Sequence, residues 1–379
     1  MSTPSERLRT SVVEPLKRRF VGRDEVIDLI ALAVVAGEHL FLYGPPGTAK
    51  SAIVRQFAAA VRGEYFESML TKFSEPSEIF GPVDLAKLRE GRVATVVTRM
   101  LPEAEFAFLD ELFNANSAIL NNLLTVLNER VYRRGAEAHT LPLISAFAAS
   151  NNLPQDEALA ALFDRFLLRC QVDSLPRELL PSLLAAGWAL ERGAADEPAA
   201  RAVSADDLRA MAAECRGVEL APVLAAYADA VAKLRDLGVA LSDRRAVKLL
   251  KLVAASAVLC GRPAAAVADF WPLKYAWDRV EQVGPIASLV TGIIDADWAN
   301  AAGVVTHPRA GRPEAADPEA LAAELEAAGA DAARATKLLE VARLRERVQS
   351  VADRAAWVAD AAARAHLLKA AAELLGRIG

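Results

Sequence analysis

Cysteine is scarce in this chain. Its 379 residues include three, Cys170, Cys215 and Cys260, far apart and never in a CxxC pair. That spacing excludes a disulfide framework and a zinc signature, leaving small buried hydrophobes in a reducing compartment as the ordinary reading. Histidine is nearly as rare, and His39, His139, His307 and His366 are scattered, which argues against a histidine-built metal site. Basic residues are in deficit: 44 Lys and Arg against 49 Asp and Glu give a net charge of -5. A general nucleic-acid binder held by phosphate contacts is therefore disfavoured. Long apolar runs are missing too, since the most apolar early stretch, Val26 to Tyr43, is broken by Asp28, Glu38 and His39 and is unfit to span a bilayer. The opening residues MSTPSERLRT are polar and charged rather than signal-like. A cytoplasmic location follows by elimination as the expectation.

What is present points to a globular chain of two or three domains, with 53% hydrophobic and 25% charged residues. The first half alternates short apolar runs with helical patterns, as a parallel α/β sheet does. HLFLY (39–43), FAFLD (106–110) and LISAFAAS (143–150) read as strands. Residues 116–130 place Ile119, Leu120, Leu123, Leu124 and Leu127 at helical spacing. Beyond about Leu180 the strand signals stop and the chain reads as helical, with helix starts at Ser204–Asp207 and Leu241–Arg244. Gly303 to Pro318 is rich in Gly and Pro and reads as a linker, followed by two or three Ala-rich helices.

The sharpest motif is Gly44-Pro45-Pro46-Gly47-Thr48-Ala49-Lys50-Ser51, followed by Ala52. It lies between an apolar strand and a helical pattern, the context a phosphate-binding P-loop requires. Glycines let backbone N–H groups turn inward on phosphate oxygens, and the helix start adds its positive dipole end. Lys50 is expected to reach the β- and γ-phosphates of ATP, and the Ser51 hydroxyl to ligate Mg²⁺. One departure stands out: the glycine usual before the lysine is Ala49, whose methyl group is small. Phe106-Ala-Phe-Leu-Asp110-Glu111 supplies the complement, an apolar strand ending in two acids. Asp110 is expected to hold Mg²⁺ and Glu111 to polarise the attacking water as general base.

Taken with LDELFNANSAILNNLLTVLNER, AFAASNNLP and ALFDRF in that order, these segments resemble the MoxR family of AAA+ ATPases. The subfamily most similar is RavA, on the SN of the third motif and the SDRR of the lid. The likeness spans roughly Phe20 to Cys260. It implies an αβα nucleotide-binding domain over 1–185, an all-α lid over 186–290 and a C-terminal helical domain over 291–379 with linker 303–318. By the same likeness, Phe20-Val21-Gly22 lines the adenine pocket and Asn151 is the sensor that orients the lytic water. Arg165 is the arginine finger given to a neighbouring subunit, and Arg244 (or Arg245) is the lid's sensor arginine. Each has a plainer alternative. Asn151 can cap its loop, Arg165 can pair with Asp164, and Arg244 and Arg245 can be a solvated helix start.

Residues 72–99 resemble the family's helix-2 insertion, and Glu129 to Gly135 its hairpin before the sensor strand. The β-rich insert of RavA-type proteins has no counterpart of sufficient length here. The likeness further implies ATP or ADP with Mg²⁺, a homo-hexameric ring, a partner with a von Willebrand factor A domain and a protein client to be remodelled or loaded with its metal cofactor. The alternatives are the motor of another helix-2-insert system, chelatase-like or for gas-vesicle assembly, or a nucleotide-gated scaffold with little turnover.

Overall fold

Five short parallel strands build one sheet in the order β2-β3-β6-β1-β7: β1 (Leu40–Tyr43), β2 (Tyr65–Met69), β3 (Phe106–Asp110), β6 (Ser145–Ser150) and β7 (Leu168–Gln171). A separate antiparallel hairpin joins β4 (Val131–Arg134) to β5 (Glu137–Thr140). These elements belong to a computed structural model that describes residues 3–91, 94–134, 137–154, 157–191, 203–297, 304–311, 318–332 and 360–378, with single positions between 341 and 358. β6 is buried at every position and β1 at all but its last, as expected of central strands covered on both faces. The register is regular: Leu40 faces Phe147 on one side and Leu168 on the other.

Helix α1 (Asp24–Ala36) is buried along its length from Val26 to Ala36. A helix apolar all round must lie between layers, and α1 separates the sheet from the later helices. α2 (Lys50–Ala60) follows the loop after β1, and α3 (Ser117–Glu129) follows β3. Asn116 starts α3 by accepting from the Ile119 amide at 3.1 Å, satisfying one of the free donors of the first turn. α4 (Glu157–Phe163) leads into β7, and α5 (Leu180–Glu191) leaves the sheet.

Later in the chain come α6 (Ala205–Glu214), α7 (Leu224–Asp236), α8 (Asp243–Leu259), α9 (Val283–Asp297), α10 (Pro318–Ala332) and α11 (Ala361–Ile378). Ser204 and Asp207 form a reciprocal capping box at α6, and the Ser242 hydroxyl accepts from the Arg245 amide at 3.2 Å to start α8. α8 lies along α1. Its Lys248 and Lys251 reach the buried Glu38 at 3.3 and 2.7 Å, while Leu249, Leu252 and Val253 join the core shared with the sheet. The C-terminal helices have their own core of Leu321, Leu325, Val348, Val351, Leu367 and Leu374. The chain is thus a parallel α/β core with a helical lid and C-terminal helices.

The segment read as a linker differs from that expectation over 304–311; Gly303 and residues 312–317 lie outside the described residues, as does Gly135 of the hairpin. Arg309 pairs with the buried Asp28 at 2.9 Å, beside Lys17 at 2.5 Å, and the His307 ring stacks on Trp271 at 4.4 Å. Its Gly and Pro content signals a turn, but His307 and Arg309 pin it to the core. No described helix is long and apolar enough to cross a membrane.

Candidate nucleotide-binding site

The loop after β1 has little freedom. The Gly44 amide donates to the Ser150 carbonyl at 3.1 Å, and a β-carbon on Gly44 would stand 2.2 Å from the Val172 carbonyl oxygen. No other residue fits there. Gly47, exposed and at φ 79°, would direct a β-carbon into open space. Ala49 occupies the left-handed region at φ 65° and ψ 17° and starts α2. This is the position where the motif normally has glycine, and an L-residue there costs roughly 1–2 kcal/mol.

Lys50 is the first residue of α2 and is buried. Its ammonium donates to the Gly44 carbonyl at 2.9 Å and the Pro45 carbonyl at 2.7 Å, with the Thr48 hydroxyl at 3.4 Å. The loop's own carbonyls thus hold the charge inside the loop. Burial lowers its pKa, Asp110 and Glu111 oppose that fall, and Arg23 adds to it. Ser51 is half-buried on the first turn.

Sheet order brings the rest of the site together. β6 lies between β1 and β3, so the loop after β1, Asn151 after β6 and Asp110-Glu111 after β3 share the carboxyl end of the sheet, where α/β sheets carry their ligand crevices. Asp110 accepts from the Glu111 amide at 3.0 Å. Glu111 sits in the left-handed region at φ 50°, and Asn114 donates to its Oε2 at 3.3 Å. Strain of this kind collects at functional sites, where the surroundings over-determine the backbone. Burial raises the Glu111 carboxyl above its ordinary range, Asp110 adds to the rise and Lys50 opposes it. Asn151 is exposed and accepts from Asn152 at 2.8 Å.

Phe20 and Val21 are half-buried and lead to Gly22, where a β-carbon would stand 2.6 Å from a Leu175 methyl. Arg23 donates to the Asp173 carbonyl at 2.8 Å. The 20–23 segment therefore packs beside the chain leaving β7, at the same end of the sheet. An ammonium, a hydroxyl, two adjacent carboxylates and an open glycine loop form a donor set that fits a nucleotide with a hard divalent cation.

Arg165 and Arg244 lie elsewhere. Arg165 precedes β7 and therefore stands at the amino end of the sheet, where it donates to Asp164 at 3.2 Å. Arg244 is exposed and donates to Asn128 near the end of α3. The adjoining Leu127 carbonyl is 3.1 Å from Nε2 of His39, the residue before β1. Both arginines are thus separated from their own phosphate loop by the length of a strand, roughly 13 Å.

Arg245 is of another kind. It is buried, and donates to Asp278 at 2.7 Å and to the carbonyls of Ala240 and Ala276 at 3.3 and 2.8 Å. Arg169, inside β7, shares Asp278 and donates to the carbonyls of Phe163, Phe166 and Trp277. Burial, with Arg245 beside it, lowers Arg169 to about 9. Burial alone would raise Asp278, but Arg245 and Arg169 together hold it below the ordinary range. Sequence reading missed this buried cluster, although an arginine inside the apolar run Leu167 to Val172 was a signal that a partner waited elsewhere.

Comparison with known proteins decides the family. The family described as the MoxR domain in MoxR–vWA–β-propeller ternary systems matches residues 6–213, and an AAA lid domain matches 225–290. The chain belongs to the MoxR family of AAA+ ATPases. A relative from Methanocaldococcus jannaschii, described as uncharacterised, is 35% identical over 74% of this chain and 73% of its own. The chaperone MoxR1 of Mycobacterium tuberculosis is 28% identical over 41% of this chain and 42% of its own. A solved structure from Cytophaga hutchinsonii, described as a candidate ATPase, superimposes with a TM-score of 0.60 over 77% of this chain and 94% of that one. Its 19% identity speaks for the fold alone.

Proposed function

We propose that this MoxR protein hydrolyses ATP with Mg²⁺ in a head-to-tail ring, each site being completed by a neighbouring subunit. The observation that carries the reading is the separation described above: the phosphate loop, Asp110 and Glu111 share one end of the sheet, while Arg165 and Arg244 stand at the other. Neither arginine can serve its own loop without crossing the sheet. A repeated contact between unlike faces makes a ring when its rotation closes, and the family likeness makes that ring a hexamer.

Lys50 and the loop amides would hold the β- and γ-phosphates, and Ser51 with Asp110 would hold Mg²⁺. The bound cation supplies charge neutralisation across the phosphates. Glu111 takes the proton of the attacking water, and its raised pKa moves it toward the working pH of a general base. Asn114 fixes the Glu111 carboxylate, and Asn151 lies between the two halves of the site to orient the water. Arg165 of the next subunit meets the charge that develops on the transferred phosphoryl group. Phe20, Val21 and Gly22 border the base. The domain division at 1–185, 186–290 and 291–379 suits this reading, with 304–311 docked on the core.

The matched family's name supports a partner with a von Willebrand factor A domain, in a ternary system with a β-propeller. The relative named a chaperone supports work on a protein client, in the cytoplasm. Ser150-Asn151 and Ser242–Arg245 also support a RavA-like relationship.

Mixing two defective proteins tests the ring. Glu111→Gln alone should lose about 10²–10⁴-fold in turnover, and Arg165→Ala should be comparably poor. Mixed, they should regain activity, because an intact site in one subunit receives Arg165 from the other. Silence of the mixture, or parent turnover by Arg165→Ala alone, overturns the reading.

A further inference from the structure

Asp164 stands between the two arginines that matter most at the amino end of the sheet. Its Oδ2 is 3.2 Å from Nη1 of Arg165, and its Oδ1 is 4.0 Å from Nε of Arg245. Among the described residues, Nε of Arg165 and Nε of Arg245 are both buried without a hydrogen-bond partner. Two buried cationic donors, each one bond short, therefore flank a single carboxylate. Leaving such donors unmade is costly, and Asp164, bonded to Arg165 through Nη1 and drawn electrostatically toward Nε of Arg245, is the carboxylate both face.

The two arginines belong to different parts of the molecule. Arg165 lies in the turn between α4 and β7, whereas Arg245 is fixed in the lid by Asp278 and the carbonyls of Ala240 and Ala276. Arg245 is 2% exposed and is held by Asp278, which also binds Arg169 of β7, while Arg165 retains 23% exposure and three rotatable methylenes. A rigid guanidinium on one side of a carboxylate and a movable one on the other is an arrangement in which the first places the second.

We infer that Asp164 is the positioning residue for Arg165, and that the lid sets the finger's aim through it. This rests on the proposed role of Arg165. Asp164 takes one Nη of Arg165 and leaves the other for a neighbouring subunit's phosphate, in a geometry that bidentate-capable guanidinium allows. A shift of the lid that loosens the Arg169–Asp278–Arg245 contact changes the Arg245–Asp164 distance and hence the direction of Arg165. Asp164 itself touches no substrate.

The test uses the full chain with Asp164→Ala and Asp164→Asn, in the parent and in an Arg165→Ala background. The expected result is a fall in kcat of at least about tenfold for Asp164→Ala and a smaller one for Asp164→Asn, which still offers an acceptor. ATP affinity, measured by calorimetry, should stay within about twofold, because the chain's own loop is at the far end of the sheet. In the Arg165→Ala background, Asp164→Ala should bring no further loss. Additive losses, a change in ATP affinity matching the loss in kcat, unchanged turnover or increased turnover would each overturn the inference. Parent turnover by Arg165→Ala alone would instead bring down the finger itself, a separate outcome.

Discussion

Ala49 holds a left-handed backbone that glycine adopts freely, in the middle of the loop on which nucleotide binding depends. The loop keeps that shape because its neighbours impose it: Gly44 is pressed against Val172, and Lys50 is anchored on the carbonyls of Gly44 and Pro45. Glycine at position 49 would remove a strain of roughly 1–2 kcal/mol while adding about 0.5–1 kcal/mol of chain entropy to be lost on folding. Ala49→Gly should therefore raise stability by up to about 1 kcal/mol and leave ATP affinity intact. A urea titration decides it, and a lower midpoint would mean that the left-handed turn is not strained. Glu111 has the same backbone conformation without a glycine, so both halves of the site carry local strain held by the strands around them.

Between elements, the buried carboxylate of Asp278 joins β7 to the lid. It pairs with Arg169 from the strand and Arg245 from α8 at once. Removing one carboxylate would leave two buried guanidinium groups facing each other, and breaking a buried pair costs about 3–5 kcal/mol. Asp278→Ala should lose at least that much in chemical denaturation, and Asp278→Asn somewhat less because it keeps an acceptor. A loss under about 1 kcal/mol would show that the surrounding carbonyls suffice. Lys248 and Lys251 on Glu38 make a second tie along α8, nearer the surface and individually weaker.

For the molecule as a whole, acid is the sensitive direction. His307 is buried against Trp271, and burial lowers it to about 3, with Lys17 and Arg309 adding to the fall and Asp28 opposing it. His39 is also buried, and burial followed by Arg130 takes it well below its ordinary value. A histidine with a lowered folded pKa binds its proton in the unfolded chain first. Its effect is negligible above the unfolded pKa of about 6.5, and stability falls as pH drops from there toward 3. At pH 5 the loss from His307 is about 2 kcal/mol. His307→Gln should shrink the change in unfolding free energy between pH 7.5 and 5 by about 2 kcal/mol, read from urea midpoints at the two values. An unchanged pH slope would place the titration elsewhere.

The sequence by itself determined the phosphate loop, the acidic strand end and the family. These features depend on order along the chain, with strand, turn and helix each announced by its own residues. It also announced the helix starts at Ser204 and Ser242, because a cap is a local event within four residues. Tertiary structure alone decided which charges share a partner. Arg169 meets Asp278 across 109 positions and Arg245 meets it across 33, and no local pattern encodes a carboxylate so far away. The docking of residues 304–311 was hidden in the same way, since Asp28 and Trp271 supply what its composition does not. The place of Arg165 at the far end of the sheet followed from the direction of β7 and that of Arg244 from its contact with Asn128, properties of the fold rather than of any motif. The two adjacent arginines Arg244 and Arg245 show the division most plainly. They are chemically identical in the sequence, and helix rotation makes one a solvent-facing cation and the other a buried strut.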